Sequence, residues 1–183
     1  MRIEPLTPEQ APVAVRSYFE RGQPGPLTGT LAHVPELLEV AMPFINKALS
    51  PLGVDGRSKE MVILRASALQ ACTYCTQTHS VVALDCGLDR SQVRALRGEA
   101  ATADAFSAPA DLALLAWTDE VAAGRGPVDG ALLEALGAHF EPYQVVELTL
   151  AVGATLMLNR YCSALALPTA AANLQRLAAE GLL

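Results

Sequence analysis

The chain has 183 residues, enough for one domain of ordinary size; 51% are apolar, 17% charged and 5% aromatic, and 32 Ala and 28 Leu dominate. That balance excludes a disordered chain and argues against an all-β protein, which would draw on Val, Ile, Thr and aromatics. A net charge of −6 with no basic run offers nothing to nucleic acid or to an anionic membrane.

The longest uncharged apolar stretch, Leu148 to Leu158, falls far short of the roughly 20 residues that a spanning helix needs. Arg2, Glu4 and Glu9 mark the N-terminus and no apolar signal-peptide core follows, so the expected compartment is the cytoplasm. Four cysteines are too few for a disulfide framework in a chain of this length. Two of them form a C-x-x-C, which points to chemistry or metal rather than to a staple.

Residues 1–30 hold five of the twelve prolines and three of the thirteen glycines. They are expected to form an N-terminal arm over the surface, with one helix over 11–20. Residues 31–183 form the expected single helical domain. A core helix opens at Pro35, a residue suited to a first turn, and runs through Leu38, Met42, Ile45 and Leu49. After a loop over 51–56, Ser58 is the expected cap of a strongly apolar segment, Met61 to Leu69. From Cys72 to Cys86 the stripe Cys72, Cys75, His79, Val82, Cys86 has helical spacing, and Gly87 ends it. Asp89 to Leu96 is a short helix, and 98–107 a loop. Ser107 caps the next helix, which contains Trp117 and stops at Gly124. Asp129 caps another that ends near Gly137. Pro142 opens the longest, to about Leu165; Pro168 breaks the chain, and a tail helix with Leu174 and Leu177 follows. No strand pattern appears, so the fold class is all-α.

The informative constellation is Glu60-(x11)-Cys72-Thr-Tyr74-Cys75-(x3)-His79. Spacings of three and four place Cys72, Cys75 and His79 on one helical face. An imidazole beside a thiol can take its proton, and the thiolate is the reactive form. Glu60 joins them under one condition. On a continuous helix Glu60 and His79 would stand roughly 28 Å apart. If the chain folds back near residues 69–72, they stand opposite each other. Ala68-Leu-Gln-Ala71 contains neither Gly nor Pro to break a helix, and only Thr73, as a cap, favours a new start.

This pattern resembles the alkylhydroperoxidase D-like branch of the carboxymuconolactone decarboxylase family. The resemblance spans about residues 30–170. It includes Leu31-Ala-His-Val-Pro-Glu-Leu, Arg57-Ser-Lys-Glu-Met-Val-Ile-Leu-Arg, Gln144-Val-Val-Glu-Leu, Asn159-Arg160-Tyr161 and Leu167-Pro168. It implies a helical bundle with a central hairpin carrying the C-x-x-C, assembled as a homotrimer or homohexamer. It also implies a peroxidase with a hydroperoxide substrate and a dithiol or disulfide reductant protein as partner. Cys75 would be the peroxidatic thiol, Cys72 the more exposed resolving thiol, and His79 the proton relay helped by Glu60. Tyr74 stands where the best-studied peroxidase pattern has a second His; its hydroxyl could still donate a hydrogen bond.

Other readings stay open. The cysteines could be small buried residues, or part of a zinc site lacking a fourth ligand. His79 could serve a decarboxylase-type lyase without thiol chemistry, or the pair could sense redox state in a non-catalytic oligomer. Arg65, Glu147 and Arg160 lie inside apolar helices and need partners, with Arg160 a possible support for the site through Glu60. Cys86 and Cys162 are assigned to packing. His33 and His139 are assigned no function, and no cofactor or resident metal is expected.

Overall fold

The computed structural model describes residues 3–183, and every regular element among them is helical. A 3₁₀ segment, Val13–Phe19, precedes α1 (Pro26–Leu31) and α2 (Pro35–Leu49). The centre is α3 (Gly56–Leu69) and α4 (Thr73–Asp85). Then come α5 (Arg90–Leu96), α6 (Thr102–Ala105), α7 (Pro109–Ala123), α8 (Gly130–Gly137), α9 (Pro142–Ala164) and α10 (Ala171–Ala179). The helices α4, α5, α7 and α9 all pack around α3. Met61, Val62 and Leu64 of α3 meet Leu114, Leu115, Leu148 and Val152 in the main core.

The chain folds back between α3 and α4, as the Glu60–His79 condition requires. Ala71 takes a left-handed backbone, φ +52°. Its N–H donates to the Ala68 carbonyl at 2.9 Å, and that of Cys72 to Ser67 at 3.1 Å. These are the two bonds of a Schellman motif, whose left-handed position is ordinarily a glycine. An L-residue there costs roughly 1–2 kcal/mol. The helix α9 ends the same way, with Ala166 at φ +51°. Its motif is closed by Ala166 N–H to Ser163 and Leu167 N–H to Cys162. Both turns deliver buried residues, Cys72 and Leu167, to one small cluster with Cys75 and Cys162, and that burial offsets the backbone cost.

Local boundaries differ from the sequence expectations for identifiable reasons. Asp55, not Ser58, caps α3: its two carboxylate oxygens accept from the Ser58 N–H at 2.9 Å and hydroxyl at 2.8 Å. Cys72, not Thr73, caps α4. Pro109 opens α7 behind Ala108, so Ser107 caps nothing. The loop over 98–107 contains the short α6. The N-terminal segment is packed rather than draped: Ala11, Val15 and Phe19 are buried with Ala32 and Leu38.

The buried charges find partners other than those expected. Lys59, only 1% exposed, donates to the Ala48 carbonyl at 2.8 Å and pairs with Glu147 at 2.9 Å. The Gly53 N–H also donates to Glu147, at 2.9 Å. Burial works to raise the Glu147 pKa, but the Lys59 and Gly53 bonds outweigh it and hold the carboxyl below its ordinary value. Arg65 forms a two-bond pair with Asp119, at 2.6 and 2.7 Å. Arg160 is exposed, with no carboxylate partner among the described residues. Thus neither Arg65 nor Arg160 competes for Glu60.

Two substitutions test these features by urea denaturation. Lys59→Met leaves Glu147 without its ammonium partner and should cost about 3 kcal/mol. Because the folded-state pKa of Glu147 is depressed, the pair's contribution is present at neutral pH and lost as pH falls through that depressed value. The Lys59→Met deficit should therefore shrink in acid. Ala71→Gly relieves the left-handed turn and should stabilise by about 0.5–1 kcal/mol.

Candidate active site

The site lies where the α3–α4 hairpin faces α9. Cys72 precedes the first turn of α4, and its Sγ accepts from the Cys75 N–H at 3.4 Å. The two sulfurs stand at disulfide-bonding distance, with Cα atoms 5.3 Å apart. Cys75 occupies the first turn of α4, where unpaired N–H groups and the helix dipole favour negative charge. His79 sits one turn further on. Its Nδ1–H donates to Glu60 Oε2 at 2.9 Å. The carboxylate is an acceptor, so this bond assigns the proton to Nδ1 and leaves Nε2 as the free nitrogen. Glu60 is 8% exposed and His79 23%, which puts the carboxylate inside and the imidazole at an opening.

Cys75 and His79 line a cavity of about 90 Å³. Leu27, Ile45, Leu49, Ile63 and Leu158 supply apolar wall. Ser67, Thr78, Thr155 and Asn159 add polar groups, and Tyr74 and Cys162 complete the lining. Tyr74 is half-buried; burial first, and then the neighbouring Cys162, push its phenol pKa up. The phenol is therefore a neutral hydrogen-bonding group throughout the physiological range. Burial likewise pushes the Cys162 thiol up to about 11.

Four of the sequence candidates, Cys72, Cys75, His79 and Glu60, come together here, and Tyr74 borders them. Arg160 does not line the cavity: it follows Asn159 on α9, and successive helical side chains point about 100° apart. The expectation of a more exposed Cys72 is reversed. Cys72 is 0% and Cys75 5% exposed, because Cys72 turns inward to cap α4 against Cys162 and Leu167. Cys162 borders both sides of the pair: it lines the cavity at Cys75 and a separate recess at Cys72. Cys86 is half-buried. No group of three or more His, Cys, Asp or Glu among the described residues is arranged to hold a metal ion.

Sequence reasoning passed over Leu27, Ser67, Thr155 and Asn159 as site residues. Leu27 belongs to the segment expected to be a surface arm. A signal did exist for the other polar groups. Thr155 and Asn159 are four apart within the longest helix, and polar residues on its buried face need a reason.

Residues 35–120, which include Glu60, Cys72, Cys75 and His79, match the model of the carboxymuconolactone decarboxylase family. No protein among those of curated function matches the sequence. The chain is similar in fold to a peroxidase-related protein of Ralstonia eutropha, described as an alkylhydroperoxidase AhpD core. Identity is 18%, coverage 94% of this chain and 93% of that one, and the TM-score 0.82. A peroxidase-related protein from Silicibacter sp. gives 19% identity, 88% and 87% coverage, and a TM-score of 0.79. The debrominase Bmp8, in complex with 2,3,4-tribromopyrrole, gives 19% identity, 97% and 96% coverage, and a TM-score of 0.73.

The burial of Cys162 sets its reactivity. Iodoacetamide treatment of the reduced native protein at pH 8 should leave Cys162 unmodified, while unfolding in guanidinium should expose it to complete alkylation. Peptide mass spectrometry reads both states.

Proposed function

We propose that the protein is a thiol-dependent peroxidase that reduces small organic hydroperoxides through the Cys72–Cys75 pair. The observation that carries this reading is the Glu60–His79 hydrogen bond one turn from Cys75, itself paired with Cys72. In the reduced enzyme His79 Nε2 takes the Cys75 proton, while Glu60 holds Nδ1–H and stabilises the imidazolium. The Cys75 thiolate attacks the terminal peroxide oxygen. The O–O bond breaks, His79 returns the proton to the departing alkoxide, and Cys75 becomes a sulfenic acid. Cys72 then attacks the Cys75 sulfur; the S–S bond forms and the hydroxyl leaves as water with the Cys72 proton. A dithiol protein reopens the disulfide by exchange. Its point of approach is the recess beside Cys72, bordered by the exposed Ala71, Thr73 and Ser163.

One observation favours a second reading. The fold likeness to the debrominase extends over almost the whole of both chains. The same dithiol could deliver its two electrons to a carbon–halogen bond of a compact ring, releasing halide and forming the same disulfide.

We also propose a homo-oligomer, trimer or hexamer. Its support is an apolar stripe on α9, where Tyr143, Val146, Leu150 and Met157 are 61%, 68%, 49% and 48% exposed. Val146→Asp together with Leu150→Asp should lower the mass measured by sedimentation equilibrium.

The decisive test mixes the reduced protein with ethyl hydroperoxide in a stopped-flow instrument and counts free thiols. Loss of two thiols per chain into a Cys72–Cys75 bridge is the expected result. Cys75→Ser should abolish it, and His79→Ala should slow it about 100-fold or more. Thiols that react no faster than free cysteine would overturn the peroxidase reading.

A further inference from the structure

Two buried side-chain polar atoms without a hydrogen-bond partner, Thr155 Oγ1 and Asn159 Oδ1, line the cavity at Cys75. Buried polar atoms are rarely left unpaired, so such a concentration calls for an explanation. Asn159 is 1% exposed and Thr155 2%. They stand four apart on α9, hence on one face. The Asn159 amide is held from behind, its Nδ2–H donating to Ser67 Oγ at 3.0 Å. That bond leaves Oδ1, which can only accept, without a donor.

The cavity combines these polar atoms with five aliphatic side chains, Leu27, Ile45, Leu49, Ile63 and Leu158. An apolar cavity of about 150 Å³ holds a benzene. One of about 90 Å³ admits a more compact apolar body, with its polar end turned toward α9.

We propose that Asn159 and Thr155 select the substrate: Asn159 Oδ1 accepts a hydrogen that the substrate donates beside Cys75, and the Thr155 hydroxyl donates to an adjacent substrate oxygen. The substrate class is then a small apolar molecule with an O–H or N–H donor at the reacting end. A hydroperoxide satisfies both residues, since its terminal O–H donates and its oxygens accept. A pyrrole-type N–H satisfies Asn159 alone. Dialkyl peroxides and N-alkylated rings, which lack the donor, leave Asn159 unpaired and are rejected. This inference rests on the thiol-peroxidase reading for its choice of reacting group, but its test is a binding measurement that does not require turnover.

The test uses the full chain with both active-site thiols removed, Cys72→Ser with Cys75→Ser, so that ligands bind without reacting. NMR-detected titration compares ethyl hydroperoxide with ethyl methyl peroxide, and pyrrole with N-methylpyrrole. Each donor ligand should bind about tenfold more tightly than its methylated partner. Asn159→Leu in that background should erase the difference, whereas any purely steric effect of the added methyl would persist. Thr155→Val, which keeps the Asn159–Ser67 bond, should weaken the hydroperoxide about tenfold and leave pyrrole unchanged. It serves as the independent check should Asn159→Leu fail to fold. Absence of binding, equal affinities within each pair, or a preference that survives Asn159→Leu would overturn the proposal, as would a Thr155→Val protein with undiminished hydroperoxide affinity. Failures remain separable. Rapid peroxide-driven thiol loss in the wild-type chain without an Asn159-dependent preference sinks this inference and leaves the peroxidase. The preference without thiol loss does the reverse.

Discussion

Everything the site does depends on one left-handed residue. If Ala71 were helical, α3 and α4 would be one rod and Glu60 would stand roughly 28 Å from His79. With Ala71 at φ +52° the chain reverses within three residues. The register of the hairpin then sets carboxylate against imidazole at 2.9 Å. The same reversal makes Cys72 the first residue outside α4, so its sulfur caps the helix that carries Cys75. Orientation of the imidazole and pairing of the two sulfurs are thus consequences of a single turn. The turn is held by what it buries, since Cys72 packs against Cys75, Cys162 and Leu167. Leu167 arrives by a second turn of the same type at the end of α9, so one cluster secures two costly backbone positions.

Rotation of α3 about its own axis is the second constraint, and two adjacent charged residues set it. Lys59 and Glu60 point about 100° apart and both are buried. Lys59 reaches back to Ala48 and Glu147, tying α3 to the end of α2 and to α9. Glu60 reaches the other way, to α4. A buried lysine contributes little net stability once its desolvation is counted. Its partners, however, admit only one rotation of α3, and in that rotation Glu60 faces His79. A structural ion pair therefore helps set Glu60 against His79.

Much of the architecture was legible because it is local. Pro35 and Pro142 open their helices where expected, Gly124 ends α7 in the left-handed conformation, and Asp129 caps α8. Those features depend on a residue and its neighbours within one turn. The errors arise where two local signals compete or where none exists. Asp55 outcompeted Ser58 because a carboxylate can satisfy the N–H and the hydroxyl of the same residue. Pro109, needing no N–H partner at a first turn, displaced Ser107 as the start of α7. No local signal marked Ala71, whose conformation is favoured only by what it packs.

For the site the division is similar. Spacing alone placed Cys72, Cys75 and His79 on one face, since helical periodicity needs no partner to be read. Glu60 could be attached to them only as a condition on the fold. Sequence order could not reveal that Leu27, Ser67, Thr155 and Asn159 close a cavity over Cys75, because their meeting depends on how α1, α3 and α9 pack. Nor could it show that Cys72 is buried: exposure belongs to the assembled surface rather than to a residue's place in a motif. The amino-acid order thus specified the all-α class, several of the helix ends and the thiol–imidazole face through short-range geometry. Packing between distant helices settled the carboxylate contact, the burial of both sulfurs and the unpaired amide oxygen, because each depends on atoms that only a compact fold brings together.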